Sequence, residues 1–165
     1  MSAWPAGEHL AEIYDALYAS LAHVALHASD NSFAVRLHEA SRGFGRLALE
    51  LRGDREVIAD RVVSALLSDS LGPDETGALT LYGLCAVVGP RLLVSLRDYL
   101  QEETDENRRC LMIHGSDLVV GEILAVGRTL SGARARDDQQ WAHVARDLSD
   151  ALDAVGMSES LGHRT

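Results

Sequence analysis

Three histidines, His23, His27 and His38, come nearest in type and spacing to a chemical site. His23 and His27 stand one helical turn apart, and two imidazoles at i,i+4 can reach one metal ion. If the chain on either side of about residue 30 folds as an antiparallel helical hairpin, His23 and His38 fall at similar heights, given a rise of about 1.5 Å per residue. His38, with Glu39 beside it, then completes the set. The ion expected of such a set is a divalent transition metal. A simpler reading needs no metal. His27 is in phase with Val24 on an apolar seam, as a hydrogen-bonded core residue, while His23 and His38 lie at the surface. The Glu-x-x-His pairs of four-helix di-iron proteins are missing from the sequence. No cofactor is therefore the first expectation, and the metal is the alternative.

A second group is aromatic. Tyr14, Tyr18, Phe44, Tyr82 and Trp141, with Cys85, could line an apolar pocket opened between helices, the usual place for a small ligand in a bundle. Other combinations are weaker. Gly43-Phe44-Gly45-Arg46-Leu47-Ala48 matches the glycine pattern of a dinucleotide loop. That loop must follow a strand, whereas a helical pattern leads into this one. A close helix crossing explains the glycines better. His114-Gly115-Ser116-Asp117 holds the residue types of a hydrolytic triad. Neighbours on a helix point about 100° apart, so the run has no triad geometry, and Ser116-Asp117 reads as a helix cap. Arg108 and Arg109 follow a run of acids and are expected in solvated pairs one turn apart. Cys85 and Cys110 lack metal or redox spacing and read as small reduced hydrophobes.

Composition narrows the classes further. The chain has 165 residues and a net charge of −10, and all fifteen of its basic residues are arginine. Arginine without lysine points to a GC-rich, bacterial genome. The negative charge is spread along the chain with no basic stripe, so the counterion release that drives nucleic-acid binding has no footprint. Met1 to Asp30 contains no Lys or Arg and does not start like a signal peptide. The most apolar stretch, Gly77 to Leu96, is interrupted by Gly89-Pro90-Arg91 and falls short of the roughly 20 apolar residues of a membrane span. A cytoplasmic location away from any membrane is expected.

The elements that must position these residues are helices. Leu10, Ile13, Tyr14, Leu17, Leu21 and Val24 recur at three- and four-residue steps, giving a helix over about 8–28. Ser29-Asp30-Asn31-Ser32 supplies a turn and an N-cap. The next seam is Phe33, Leu37, Ala40, Phe44, Leu47 and Leu51. Ile58, Val62, Val63, Leu66 and Leu67 mark a third helix, and Gly72-Pro73-Asp74-Glu75 starts a fourth. This fourth helix, about 74–88, is apolar on nearly every side and so belongs at the centre. Gly89-Pro90 is expected to break it, with a short helix following through Leu100. Thr104-Asp105-Glu106 caps the next segment, where Met112, Val119, Ile123, Val126 and Leu130 keep phase in one helix or two. Trp141, Val144, Leu148, Leu152 and Val155 face inward from the last.

The sequence thus predicts an all-α fold. It is a compact bundle of six to eight helices around the central helix at about 74–88, one domain over 1–156 with a flexible tail over 157–165. Functionally it points to a non-catalytic interaction or regulatory domain, acting as a homodimer or with another protein. The first two helices are the expected pairing surface. Binding of a small apolar ligand and binding of a metal through histidine are the alternatives.

Overall fold

The computed structural model describes residues 6–52, 77–130 and 138–154. Among these the chain is helical throughout, in five helices: α1 (Ala6–His27), α2 (Asn31–Arg52), α3 (Ala78–Glu102), α4 (Glu106–Leu130) and α5 (Asp138–Ala154). The helix expected at Ile58–Leu67, the Gly72-Pro73 start, the loop at 131–136 and the tail at 157–165 lie outside the described residues. Five helices are fewer than the six to eight expected. The two pieces anticipated on either side of Gly89-Pro90 are one helix, and the segment after Thr104 is also one.

The chain continues through Pro90 for a local reason. A proline offers no N–H, and its ring crowds the carbonyl four residues back. Here the helix widens to a π turn over Leu84–Val88, with the Gly89 N–H bonded to the Leu84 carbonyl. Shifting the bond from four residues to five lets the proline enter without ending the helix. Ser116 and Asp117 are likewise interior to α4, and Ser116 donates its hydroxyl to the Met112 carbonyl at 3.1 Å instead of capping.

The expected caps at the other turns are present. Asp30 Oδ1 accepts the Phe33 N–H at 3.0 Å and opens α2. Asp105 Oδ1 accepts the Arg108 N–H at 3.0 Å and opens α4. Arg109 reaches back to the end of α3, donating to the carbonyls of Leu100 at 2.5 Å and Glu103 at 3.0 Å. It thereby satisfies acceptors that a helix C-terminus leaves open. Gly77, before α3, has φ of 90°, and a Cβ there would lie 2.9 Å from Leu37 Cδ1, so only glycine fits.

Two antiparallel hairpins make the bundle. In α1–α2, the Tyr14 ring stacks on Phe44 at 5.8 Å, and Ser41 donates to the Tyr18 carbonyl at 2.9 Å. In α3–α4, Gly89 lies against Ile123, and Gly115 lies against Leu96. The glycines in α2 are crossing points, as the sequence suggested: Gly43 meets Leu118 of α4 and Gly45 meets Tyr18 of α1. α5 runs alongside α3 in the same direction, with Trp141 against Tyr82 at 4.7 Å and Arg91 against Ser149 and Asp153 further along.

The core is one cluster drawn from all five helices, including Leu10, Ile13 and Leu17, Leu37 and Phe44, Leu81, Leu92 and Leu96, Met112 and Val126, and Leu148 and Leu152. Each side chain of this size contributes about 1.5–3 kcal/mol on burial. α3 packs against α4 and α5 and touches α2. It extends to Glu102, well past residue 88.

Candidate functional site

The α1–α2 hairpin puts the three histidines near one another in sequence register, yet all three are exposed. The His23 and His27 rings meet edge to face at 4.9 Å. His27 is not a core residue, because past Leu21 the inward position of α1 passes to Ala25, with Ala28 half-buried just beyond the helix end. Among the described residues no three His, Cys, Asp or Glu side chains form a group that could hold a metal ion.

The six pocket residues separate into three places. Tyr14 and Phe44 are packed in the core at the α1–α2 crossing, and Tyr18 lies beside them at the surface, 47% exposed. Tyr82 and Trp141 pair between α3 and α5. Cys85 is half-buried on the other side of α3, with its thiol 3.5 Å from the Ile123 carbonyl. Cys110, expected to be packed, is exposed in the first turns of α4.

An open groove of about 470 Å³ lies between α3 and α5, and none of the six residues lines it. Its floor is apolar, with Val87, Pro90 and Val94 on one side and Ala145 on the other. The π turn shapes this floor. Arg91 forms a wall, buried and bonded to Asp153 Oδ1 at 2.6 Å and to the Ser149 hydroxyl. Because Ser149 Oγ accepts from Arg91, its own proton is free to point elsewhere. Arg146, exposed at the rim, takes part in no ion pair among the described residues.

A second buried charge joins α2 to α4. Arg36 Nη2 contacts Glu122 Oε1 at 2.8 Å and Glu39 Oε2 at 3.0 Å. Burial holds the Glu122 carboxyl above its ordinary value, against the opposing pull of Arg36, and the nearby Glu39 charge adds to the rise. Burial alone pushes the Tyr14 phenol well above the usual tyrosine range, and its hydroxyl has no hydrogen-bond partner.

Among the described residues, α4 also carries an exposed apolar surface. This helix and α3 are both long and apolar enough, by length and composition, to cross a membrane. Their settings differ: 67% of the most apolar stretch of α3 is buried in the bundle, but only 28% of that of α4. α4 turns Met112, Gly115, Val119, Glu122, Val126 and Leu130 inward. Its outward face presents Ile113, Val120 and Leu124, which are 46%, 44% and 60% exposed. Gly121 and Gly127 on that side have no atom within 4 Å of where a Cβ would stand.

No family model matches the chain, nor does any curated protein or solved structure.

Proposed function

We propose that this chain is a non-catalytic helical interaction domain that works as a homodimer, joined through the outward face of α4. The observation that carries this reading is the exposure of Ile113, Val120 and Leu124 along one line of a helix that is apolar on both sides. A helix apolar all round is stable when both faces are covered, and this row of exposed large apolar residues, interrupted once by Asp117, supports an interaction site. The first hairpin is the poorer surface. α1 and α2 spend their apolar faces on each other and on the core, and what remains outside is scattered: Tyr18 and Leu26 lie eight positions apart on α1, and Val35 and Leu49 on α2 are separated by His38, Arg42 and Arg46. A net charge of −10 and the exposed Asp117 on the α4 face disfavour a lipid surface as the occupant.

Size-exclusion chromatography with light scattering at micromolar concentration tests this. The wild type elutes as a dimer. Leu124→Arg, at a position already exposed, gives a monomer with an unchanged helical circular dichroism spectrum. A monomeric wild type that floats with lipid vesicles would assign the face to a membrane instead.

The α3–α5 groove supports a second reading, as the site of a small ligand with an apolar body and an anionic end. The body would rest on Val87, Pro90 and Val94, and the anion would meet Arg146 and the Ser149 hydroxyl. A thermal-shift series of straight-chain carboxylates tests it. Stabilisation that grows with chain length and is lost in Arg146→Ala supports it, and no shift at millimolar ligand removes it.

A further inference from the structure

Cys110, Ile113, Asp117, Val120, Leu124 and Gly127 form the outward seam of α4, and all six are exposed. Their spacing is three, four, three, four, three, which reads the same in both directions. We infer, resting on the homodimer reading above, that two copies of α4 pack antiparallel about a twofold axis between Leu118 and Val119. Ile113 then faces Leu124 of the partner subunit, Cys110 faces Gly127 of the partner subunit, and Asp117 faces Val120 of the partner subunit.

Three features favour this arrangement and this occupant. A twofold contact requires one surface to be complementary to itself, and a palindromic seam meets that requirement along its whole length. Large residues meet large ones at Ile113 and Leu124, and small ones meet at Cys110 and Gly127, which lets the axes approach to the usual 8–10 Å. Charge decides the direction. A parallel pair would set Asp117 against Asp117, Glu106 against Glu106 and Arg128 against Arg128. Reversed, Glu106 lies within about 4.5 Å in height of Arg128 of the partner subunit, while Arg109, level with that arginine, is turned away to the carbonyls of Leu100 and Glu103, and the helix dipoles oppose. Asp117 then lies beside Val120 and Gly121 of the partner subunit, and the missing side chain at Gly121 leaves the carboxylate a path to water.

The cysteine already in the seam provides the test. The 165-residue chain is mildly oxidised at micromolar concentration and run on a non-reducing gel, as wild type, as Gly127→Cys and as Cys110→Ala/Gly127→Cys. A side chain at position 127 enters open space, so the substitution leaves the fold intact. The inference expects no covalent dimer from the wild type, covalent dimer as the main product of Gly127→Cys, and its loss when Cys110 is also removed. A wild-type dimer cross-linked through Cys110 alone overturns the antiparallel direction. A dimer by light scattering whose Gly127→Cys form does not cross-link overturns the register but leaves the homodimer standing. A monomer by light scattering overturns both.

Discussion

Tyr14 and Gly115 are expected to be coupled, with opposite effects of one substitution in two backgrounds. The Tyr14 ring is buried and its hydroxyl unpartnered. A Cβ on Gly115 of α4 would stand 2.8 Å from that hydroxyl, while the next atoms, Leu96 Cδ1 and Leu47 Cδ1, are at ordinary distances of 3.6 and 3.8 Å. Gly115→Ala therefore carries two opposing terms. Helix propensity favours alanine by about 1 kcal/mol. The clash forces a packed tyrosine to move, at about 1–3 kcal/mol. The net expected effect in the wild type is a loss of up to about 2 kcal/mol. Tyr14→Phe removes a hydroxyl that burial has stripped of water without return, so it is neutral to stabilising by about 1 kcal/mol. In that background the clash is gone, and Gly115→Ala should stabilise by about 1 kcal/mol. Urea denaturation of the four proteins, followed by circular dichroism, gives the cycle. Additivity within about 0.5 kcal/mol would refute the reasoning, because it would mean the two side chains do not meet.

Other outcomes follow from the same geometry. The Tyr14 phenol is raised in the folded state, so its contribution is full below the unfolded value near 10 and is lost as pH rises further. Wild-type stability should fall above about pH 10 more steeply than that of Tyr14→Phe, read from denaturation midpoints. Glu122 is raised above its ordinary 4.5, so its contribution is present below that value and lost as pH rises through the folded one. Glu122→Gln, which can still accept from Arg36, should gain on the wild type as pH rises above the ordinary glutamate value of 4.5; an unchanged difference would contradict the burial of that carboxylate. Arg36→Met leaves the Glu122 charge buried alone and should cost about 3 kcal/mol at neutral pH by urea denaturation. Gly45→Ala places its Cβ 2.7 Å from the Tyr18 ring, but that ring is half-exposed and can swing away. Its effect on the thermal midpoint should be small, in contrast to Gly115→Ala.

The helical seams were legible because a helix shows in its sequence which face it buries. Leu10 to Leu21, Leu37 to Leu47, and Trp141 to Leu152 are inward where their spacing places them. The Asp30 and Asp105 caps were legible for a similar reason, since cap and first turn are local. Gly89-Pro90 misled because proline's local effect is to end a helix, and a π turn held between α4 and α5 overrode it. His27 misled because the buried face of α1 shifts toward Ala25 in its last turn. The buried charges were not legible, since Arg91 and Asp153 are 62 positions apart and Arg36 and Glu122 are 86. Arg91 inside an apolar run was the available signal for the first. The outward face of α4 had one too: Ile113, Val120 and Leu124 fall out of phase with Met112, Val119 and Val126. Spacing records such residues but does not say whether a neighbour within the chain covers them.

A nitroxide label on Cys110, with Cys85 replaced by alanine, measures the arrangement of α4 directly through the dipolar coupling between subunits. Positions 110 and 110 in an antiparallel pair centred between Leu118 and Val119 are separated by 17 residues of helix rise. The account predicts one distance of about 25–30 Å. A distance under about 15 Å would mean parallel helices, and no coupling at micromolar concentration would mean that no second copy covers this face.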